Sequence, residues 1–336
     1  MSSEIEIFEK VNPMHPDKIA DRIAGALVDL AYKKDDNPKC AIEVLIGHGE
    51  CNILGECSVS YYLKEVEDIV ERITNNSIKK INLKITKQDK FLANNQKDKV
   101  KCGDNGIFRA MLPTYTERAF TELMYNIYKK YSTDGKGLIT RYYNEDKELM
   151  TKIIICQSQA SNSEIEDIIY DWANMQGTYL MEDKHFKIEI NPLGYWLGGL
   201  EVDSGATNRK LGSDMGRGVT GGGLNGKEYS KADLTINTFL YLRACRNKLL
   251  GLSSYCAIGD DVISITDFDD GNTYTVDYGY MVEVVKKYIK RLGGFEKFAE
   301  WGLIRPRQER LNILEEKQDY EEEEDNEEAN SNEDYF

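Results

Sequence analysis

"TGGGLNGKEYSKAD" (residues 220–233) almost spells a P-loop. Gly221 to Lys227 fit GxxxxGK, but Glu228 stands where a Ser or Thr hydroxyl should meet magnesium. A P-loop must also follow a buried apolar strand that aims it at the phosphates. Here the preceding residues are "RKLGSDMGRGV", polar and glycine-rich. Both context and chemistry therefore exclude a Walker site. What survives is a loop whose glycines let backbone N–H groups approach an anion, with Lys227 and Lys231 supplying charge. Ser230 is expected to cap a helix running to about Leu250, with Asp233 in its first turn.

Other charged motifs lie upstream. "VDSGATNRK" places Asp203 shortly before the pair Arg209 and Lys210, where Arg can grip phosphate oxygens bidentately and Lys adds a point charge. "HPDK" puts His15 at the cap of a first helix and Asp17 in its first turn, and a helix N-terminus is an anion site. Asp17 could hold magnesium beside such an anion, since hard oxygen ligands suit that ion. "TDGK" carries Asp134 and Lys136, and "CGDNG" sets Asp104 between glycines; either alone is an ordinary turn. Glu9, Glu43 and Glu56 fall in or beside strand-like segments, and Glu43 must face solvent or bind a cation. His48 and His185 lack metal-ligand spacing and read as structural.

The chain around these motifs has 336 residues, 41% hydrophobic and 30% charged, an ordinary globular composition. Its N-terminus "MSSEIEIFEKVN" lacks a signal-peptide core, and no apolar run has membrane-spanning length. Seven cysteines without CxxC spacing argue against a disulfide framework or zinc, and for a reducing, cytoplasmic setting. Most of the net charge of −15 sits in the tail, residues 315–336, which reads as a solvated, disordered extension of a 1–314 body. No basic stripe with interleaved aromatics is present, which excludes a nucleic-acid interface of that kind.

Helical periodicity predicts a helix over 16–34, with Ile19, Ile23, Leu27 and Ala31 on one face and Pro16 at its first position. "CAIEVLIG" and "CNILGECSVSYYL" read as strands around "GHGE", followed by a helix near 64–74 and the strand "INLKIT". Residues 87–103 read as a long polar loop, and 108–130 as a helix. Strand "KIIICQSQ", helix "SEIEDIIYDWANM" and strand "HFKIEINP" complete a middle section. Residues 191–229 read as one glycine-rich loop system, followed by the 230–250 helix. "SSYCAIGDDVISITDF" reads as a hairpin, and 278–291 as a last long helix. The alternation is too irregular for a doubly wound sheet, and the class is α+β.

The order of these motifs is more specific than any one of them. HPDK, a strand Glu, LGE, GDNG, DGK, NPLG, DSGATNRK, GGG-GK-SK-D and AIG follow one another in a series that resembles the S-adenosylmethionine synthetases, or methionine adenosyltransferases, over roughly residues 9–300. The resemblance implies three similar, interleaved sheet-plus-helix domains, approximately 1–14 with 105–195, then 15–104, then 196–314. It also implies synthesis of S-adenosylmethionine from ATP and L-methionine, with tripolyphosphate cleaved to pyrophosphate and phosphate. Two Mg2+ per site and a K+ are expected, in a homodimer or dimer of dimers whose active sites lie between subunits.

Residue by residue, the resemblance places His15, Lys136, Arg209, Lys210 and Lys227 on the polyphosphate as preorganised cations. Asp134, Tyr195, Trp196, Asp203 and Leu224 fall at the nucleotide. Glu56, Gln88, Asp104, Asp203 and Lys231 fall at methionine, with 88–101 as a gate. Asp17, Asp233 and Glu9 fall at magnesium, and Glu43 at potassium. The chain departs from the family where GHPDK is "MHPDK", GDQG is "GDNG", GGGAFSGKD is "GGGLNGKE" and NPTGRF is "NPLGYW". Tyr195 there removes a cation, while Trp196 keeps a stacking face. Two rival readings remain: another ATP-dependent phosphotransferase, and a non-catalytic nucleotide-binding regulatory subunit.

Overall fold

A computed structural model describes residues 5–95, 99–176 and 185–310, so the acidic tail and part of the expected gate lie outside the described residues. Helix α1 (Pro16–Lys34) forms where periodicity placed it, with Pro16 at its start and Lys33 and Lys34 in the last turn, complementing the helix dipole. It is buried on nearly every side because it lies at a junction. Strands β2 (Cys40–Gly47) and β9 (Ser204–Ala206) pack on it, together with helix α2 (Leu63–Thr74) and, further along the chain, helix α9 (Phe295–Trp301).

The described residues form three four-stranded sheets. One runs β1–β6–β7–β8, from β1 (Glu6–Val11), β6 (Gly135–Tyr143), β7 (Leu149–Gln157) and β8 (His185–Ile190). A second runs β4–β3–β2–β9, adding β3 (Glu50–Cys57) and β4 (Lys80–Thr86). These two share a plan: two antiparallel ladders, then a parallel pair whose crossover carries a helix. That helix is α2 between β3 and β4, and α5 (Asn162–Met175) between β7 and β8, as parallel neighbours require. The third sheet, β12–β11–β10–β5, is antiparallel throughout. It joins β5 (Gly106–Met111) to β10 (Gly251–Cys256), β11 (Val262–Asp267) and β12 (Thr273–Asp277).

Several expectations need correction. The helix expected over 108–130 is a strand, β5, followed by helix α4 (Tyr115–Lys130). Thr114 caps that helix in a reciprocal pair with Glu117. The 87–103 loop contains a short helix, α3 (Lys90–Asn95). The glycine-rich segment holds, besides β9, a short helix α6 (Leu211–Met215) and a 3-10 turn. Ser230 does not cap the next helix, because its hydroxyl is donated to Glu228; helix α7 (Ala232–Asn247) starts one residue later, with Lys231 at the cap. Helix α8 (Tyr278–Leu292) is the last long helix, as expected, and the short α9 follows it.

Candidate active site

The N-terminus of α1 is the centre of the site. His15 adopts extended backbone and caps the helix, its Nδ1 accepting the Asp17 N–H at 3.2 Å. A ring nitrogen that accepts carries no proton, so the imidazole N–H is on Nε2 and is available to an anion. Burial, with Lys210 and Lys136 nearby, pushes His15 down to about 4. The expected cation is therefore a neutral hydrogen-bond donor in the empty chain.

Asp17 is the node of this cluster and is nearly inaccessible. Lys210 Nζ lies 2.7 Å from its Oδ2, and the Ala206 N–H donates to its Oδ1 at 2.9 Å. Arg209 approaches at 3.7 Å and His15 at 3.8 Å. Burial opposes the charge on Asp17, but the bonds from Lys210 and Ala206 outweigh it and hold the carboxyl below its usual range. The turn that delivers them depends on Gly205: a Cβ there would sit 2.0 Å from the Pro16 carbonyl oxygen. Register does the rest, since β9 pairs with β2 through Ala206 and Leu45.

Two neighbouring strands complete the group. Pairing of β1 with β6 sets Val11 opposite Lys136, and Lys136 Nζ meets Glu9 at 2.9 Å. Asp134 precedes β6, buried, with Oδ2 accepting the Gly199 N–H at 2.9 Å. Its Oδ1 has no hydrogen-bond partner. Burial, with Asp203 and Asp17 adding negative potential, pushes Asp134 up to about 6. Asp203 is exposed and accepts the Ser204 N–H. The same 194–199 loop carries Trp196, half-buried and donating to Asn191 at 3.1 Å, and the exposed Tyr195.

The remaining positions form other groups. Lys227 pairs with Asp233 at 2.7 Å on the first turn of α7. The loop before it runs along the edge of β2, with the Ile42 N–H donating to Gly226 and Ala41 bridging Lys227. Gly226 has a φ of +77°, and a Cβ there would lie 2.0 Å from the Ile42 carbonyl oxygen. Glu228, at the P-loop hydroxyl position, is wholly buried, so it faces away from any ligand. Lys231 meets Glu56 at 3.3 Å. Glu56 pairs in register with Thr86 at the end of β4, and Gln88 follows two residues on, its Oε1 buried without a partner. Glu43 lies on the outward face of β2 and accepts from the Thr207 hydroxyl. Asp104 is exposed on the turn before β5, and Leu224 is in the core, 1% exposed.

A buried layer beneath these groups was not anticipated. Lys18 Nζ bonds Asp214 at 2.7 Å and Asp21 at 3.0 Å, all three buried. Burial works against the Lys18 charge, and the two carboxylates outweigh it, raising its pKa. Asp21 in turn accepts the Asn208 N–H, and the Asn208 side chain accepts the Asn225 N–H at 2.9 Å. The network thus ties the Arg209–Lys210 turn to the Lys227 loop. Its one visible sequence signal was the i, i+3 spacing of Lys18 and Asp21 in "HPDKIAD".

Among the described residues, no three His, Cys, Asp or Glu side chains form a ready-made metal cage. Magnesium does not require one, since it is commonly held by one or two carboxylates plus substrate phosphates. Asp17 and Glu9 offer such oxygens in one group, and the unpartnered Asp134 Oδ1 is an acceptor that a cation or donor would complete. No helix among the described residues is long and apolar enough to cross a membrane.

Comparisons with known proteins agree with this architecture. Residues 5–102 match the family model "S-adenosylmethionine synthetase, N-terminal domain". The S-adenosylmethionine synthase of Oenococcus oeni is 30% identical over 274 residues, covering 67% of this chain and 69% of that one. That of Acholeplasma laidlawii is 28% identical over 297 residues, covering 74% of this chain and 76% of the relative. In fold, the chain is similar to an unusual S-adenosylmethionine synthetase from Campylobacter jejuni, with a TM-score of 0.69, 20% identity, and coverage of 93% of this chain and 98% of that one. With the motif order, the three sheets and these relatives in agreement, the chain belongs to the S-adenosylmethionine synthetase family, the methionine adenosyltransferases.

Proposed function

We propose that this chain transfers the adenosyl group of ATP to the sulfur of L-methionine, releasing the whole tripolyphosphate and then cleaving it to pyrophosphate and phosphate. One observation carries the reading: the 206–210 turn brings the Ala206 N–H, Arg209 and Lys210 onto Asp17 at the N-terminus of α1, beside His15. Methionine sulfur is nucleophilic when neutral, so attack on ribose C5′ needs no base. The barrier lies in the leaving group, which gains negative charge as the C–O bond breaks. His15 donates its Nε2 proton to that charge, while Arg209, Lys210 and Lys136 bring fixed positive charge to it. Preorganised donors of this kind are typically worth about 3–4 kcal/mol each in the transition state.

Asp134, tied to Gly199, orients the nucleotide with the Trp196 face beside it. Glu56, Gln88 and Lys231 supply the methionine side, with Asp104 and Asp203. Magnesium, when bound, spreads charge along the polyphosphate; Asp17 and Glu9 would hold it on this side and Asp233 on the other, and Glu43 is the acid placed for potassium. Lys227 and Asp233 belong to a group separate from His15, which a second copy of the chain would complete. Outward apolar residues support such pairing: Leu45 and Leu54 on the second sheet, and Ile107 and Tyr255 on the third, are all more than half exposed. Isolated apolar side chains are common at surfaces, but Ile107 and Tyr255 lie opposite each other in register, and such neighbouring apolar positions on open sheet faces suit burial by a partner.

The test is one incubation with ATP, methionine, Mg2+ and K+, read by mass spectrometry. A sulfonium product with pyrophosphate and phosphate is expected. ADP with a phosphorylated substrate would establish the phosphotransferase instead, and ATP binding without methionine consumption the regulatory subunit.

A further inference from the structure

Two thiols outside the proposed chemistry meet beneath the Asp104 turn. Cys102 immediately precedes that turn, and Cys256 ends β10 opposite Gly106 in the sheet register. Their sulfurs are 2.8 Å apart and both residues are buried, yet Asp104, Asn105, Ala257 and Ile258 beside them are exposed. The backbone already locks the two segments together: the Cys102 N–H donates to Asp260 at 2.7 Å, and the Gly259 N–H donates to Cys102 at 2.8 Å. A disulfide has an S–S length of about 2.05 Å, so bond formation needs a closing movement of under about 1 Å. Both thiols also reach the main-chain oxygen of Asp104, at 3.3 and 3.2 Å.

We propose that Cys102 and Cys256 form a disulfide by exchange with a small-molecule disulfide, and that the bond resets the turn carrying Asp104. The effect on the turn follows from proton count. Two S–H protons are shared among the sulfur–sulfur contact and the two contacts to the Asp104 carbonyl; oxidation removes both, so the carbonyl keeps no thiol donor and its turn must seek others. The Asp104 side chain moves with it, as does Asn105, whose Oδ1 holds the Ile258 N–H at 2.7 Å. That this alters methionine binding rests on the placement of Asp104 given under the proposed function.

The chemistry balances without another reactant. The Cys102 thiolate attacks one sulfur of the reagent and expels a small thiolate, leaving a mixed disulfide. Cys256 then releases its proton and attacks the Cys102 sulfur, expelling the second small thiolate. The two protein protons end on the two released thiols, and two electrons pass from protein to reagent. Cys102 is the natural first nucleophile, because the hydrogen bond from Cys256 holds it below the ordinary thiol range against the opposing effect of burial.

The experiment treats the reduced full-length protein with oxidised glutathione and maps its disulfides by non-reducing peptide mass spectrometry. Cys256→Ser and Cys102→Ser proteins run alongside, with Cys256→Ala in case the serine disturbs folding. A 102–256 cross-link, reversed by dithiothreitol and absent from the variants, is expected. The methionine KM of the oxidised wild type should rise about fivefold to tenfold, the scale of one lost hydrogen bond, while oxidant leaves the Cys256 variants unchanged. Free thiols, a stable glutathione adduct, or a linkage of Cys40 to Cys57 instead would overturn the pairing. A cross-link with unchanged methionine KM would overturn the coupling to Asp104. Absence of sulfonium product from the reduced protein would strike the proposed function, and the mapped cross-link would still support the pairing.

Discussion

Asp134→Asn should stabilise the empty protein near neutral pH while damaging its use of ATP. The carboxyl is buried, keeps one hydrogen bond from Gly199, and leaves Oδ1 without a partner. Its pKa is pushed from 3.8 up to about 6, first by burial and then by Asp203 and Asp17. The folded state therefore binds more protons than the unfolded state across that window, and stability falls as pH rises through it. Above the window the full shift of about 2 units applies, which is a penalty of about 3 kcal/mol. The amide keeps the bond to Gly199 but adds a donor without an acceptor, costing about 1 kcal/mol. A net gain of about 2 kcal/mol remains.

Unfolding entropy of about 2.1 cal/mol/K per residue gives about 0.7 kcal/mol/K for a chain of this length. The gain then corresponds to a Tm rise of about 3 °C near pH 7.5. By about pH 4.5 the ionisation penalty falls to about 1 kcal/mol, matches the cost of the amide, and the difference should vanish. Differential scanning fluorimetry on ligand-free protein at both pH values reads this directly. The same variant should lose about 10²-fold or more in kcat/KM for ATP, as expected for a nucleotide-positioning group. A variant less stable than wild type near pH 7.5, or one equally stabilised at both pH values, would refute the charge-burial reasoning whatever its activity.

Lys136→Ala should lower kcat by roughly 10²–10³ with a smaller change in the KM for ATP, because its charge acts on the developing leaving group; steady-state kinetics with an unchanged kcat would remove it from the mechanism. Gly205→Ala forces a methyl group into the Pro16 main chain, so it should cost about 2–4 kcal/mol in denaturant unfolding and release Asp17 from Ala206. Removing residues 315–336 should leave turnover intact, because that acidic segment carries none of the site motifs; a large fall in kcat for the truncated protein would show otherwise.

What could be read from the sequence was whatever rested on neighbours in the chain. Helix α1 was legible because its apolar spacing, Pro16 and Asp17 agree with one another. The strand at 106–111 was not, since its apolar residues continue in phase into the next helix. Thr114 and Glu117, the pair that marks the true helix start, lie just beyond it. Ser230 had the spacing of a cap, but the buried Glu228 two residues earlier claims its hydroxyl. Lys18 showed only its i, i+3 spacing to Asp21, because Asp214, its closest partner, is 196 positions away. Such partners become apparent only when β9 and α6 fold back onto α1.

The charge state of the site was the hardest property to foresee. Read along the chain, its lysines look like a cluster of mutually repelling cations awaiting an anion. In three dimensions each is already matched: Lys136 with Glu9, Lys210 with Asp17, Lys227 with Asp233, and Lys231 with Glu56. The acids therefore hold the lysine side chains in place in the absence of substrate. A polyphosphate entering this site does not meet bare cations; it competes with carboxylates for them. Those carboxylates are the ones proposed for the metal and methionine sites, so one exchange prepares both. Neutralising Glu9 as Glu9→Gln would break that economy on one side only. Lys136 would lose its holding partner, tightening ATP in the absence of magnesium while weakening the response to added magnesium, two effects of opposite sign that titration calorimetry can separate.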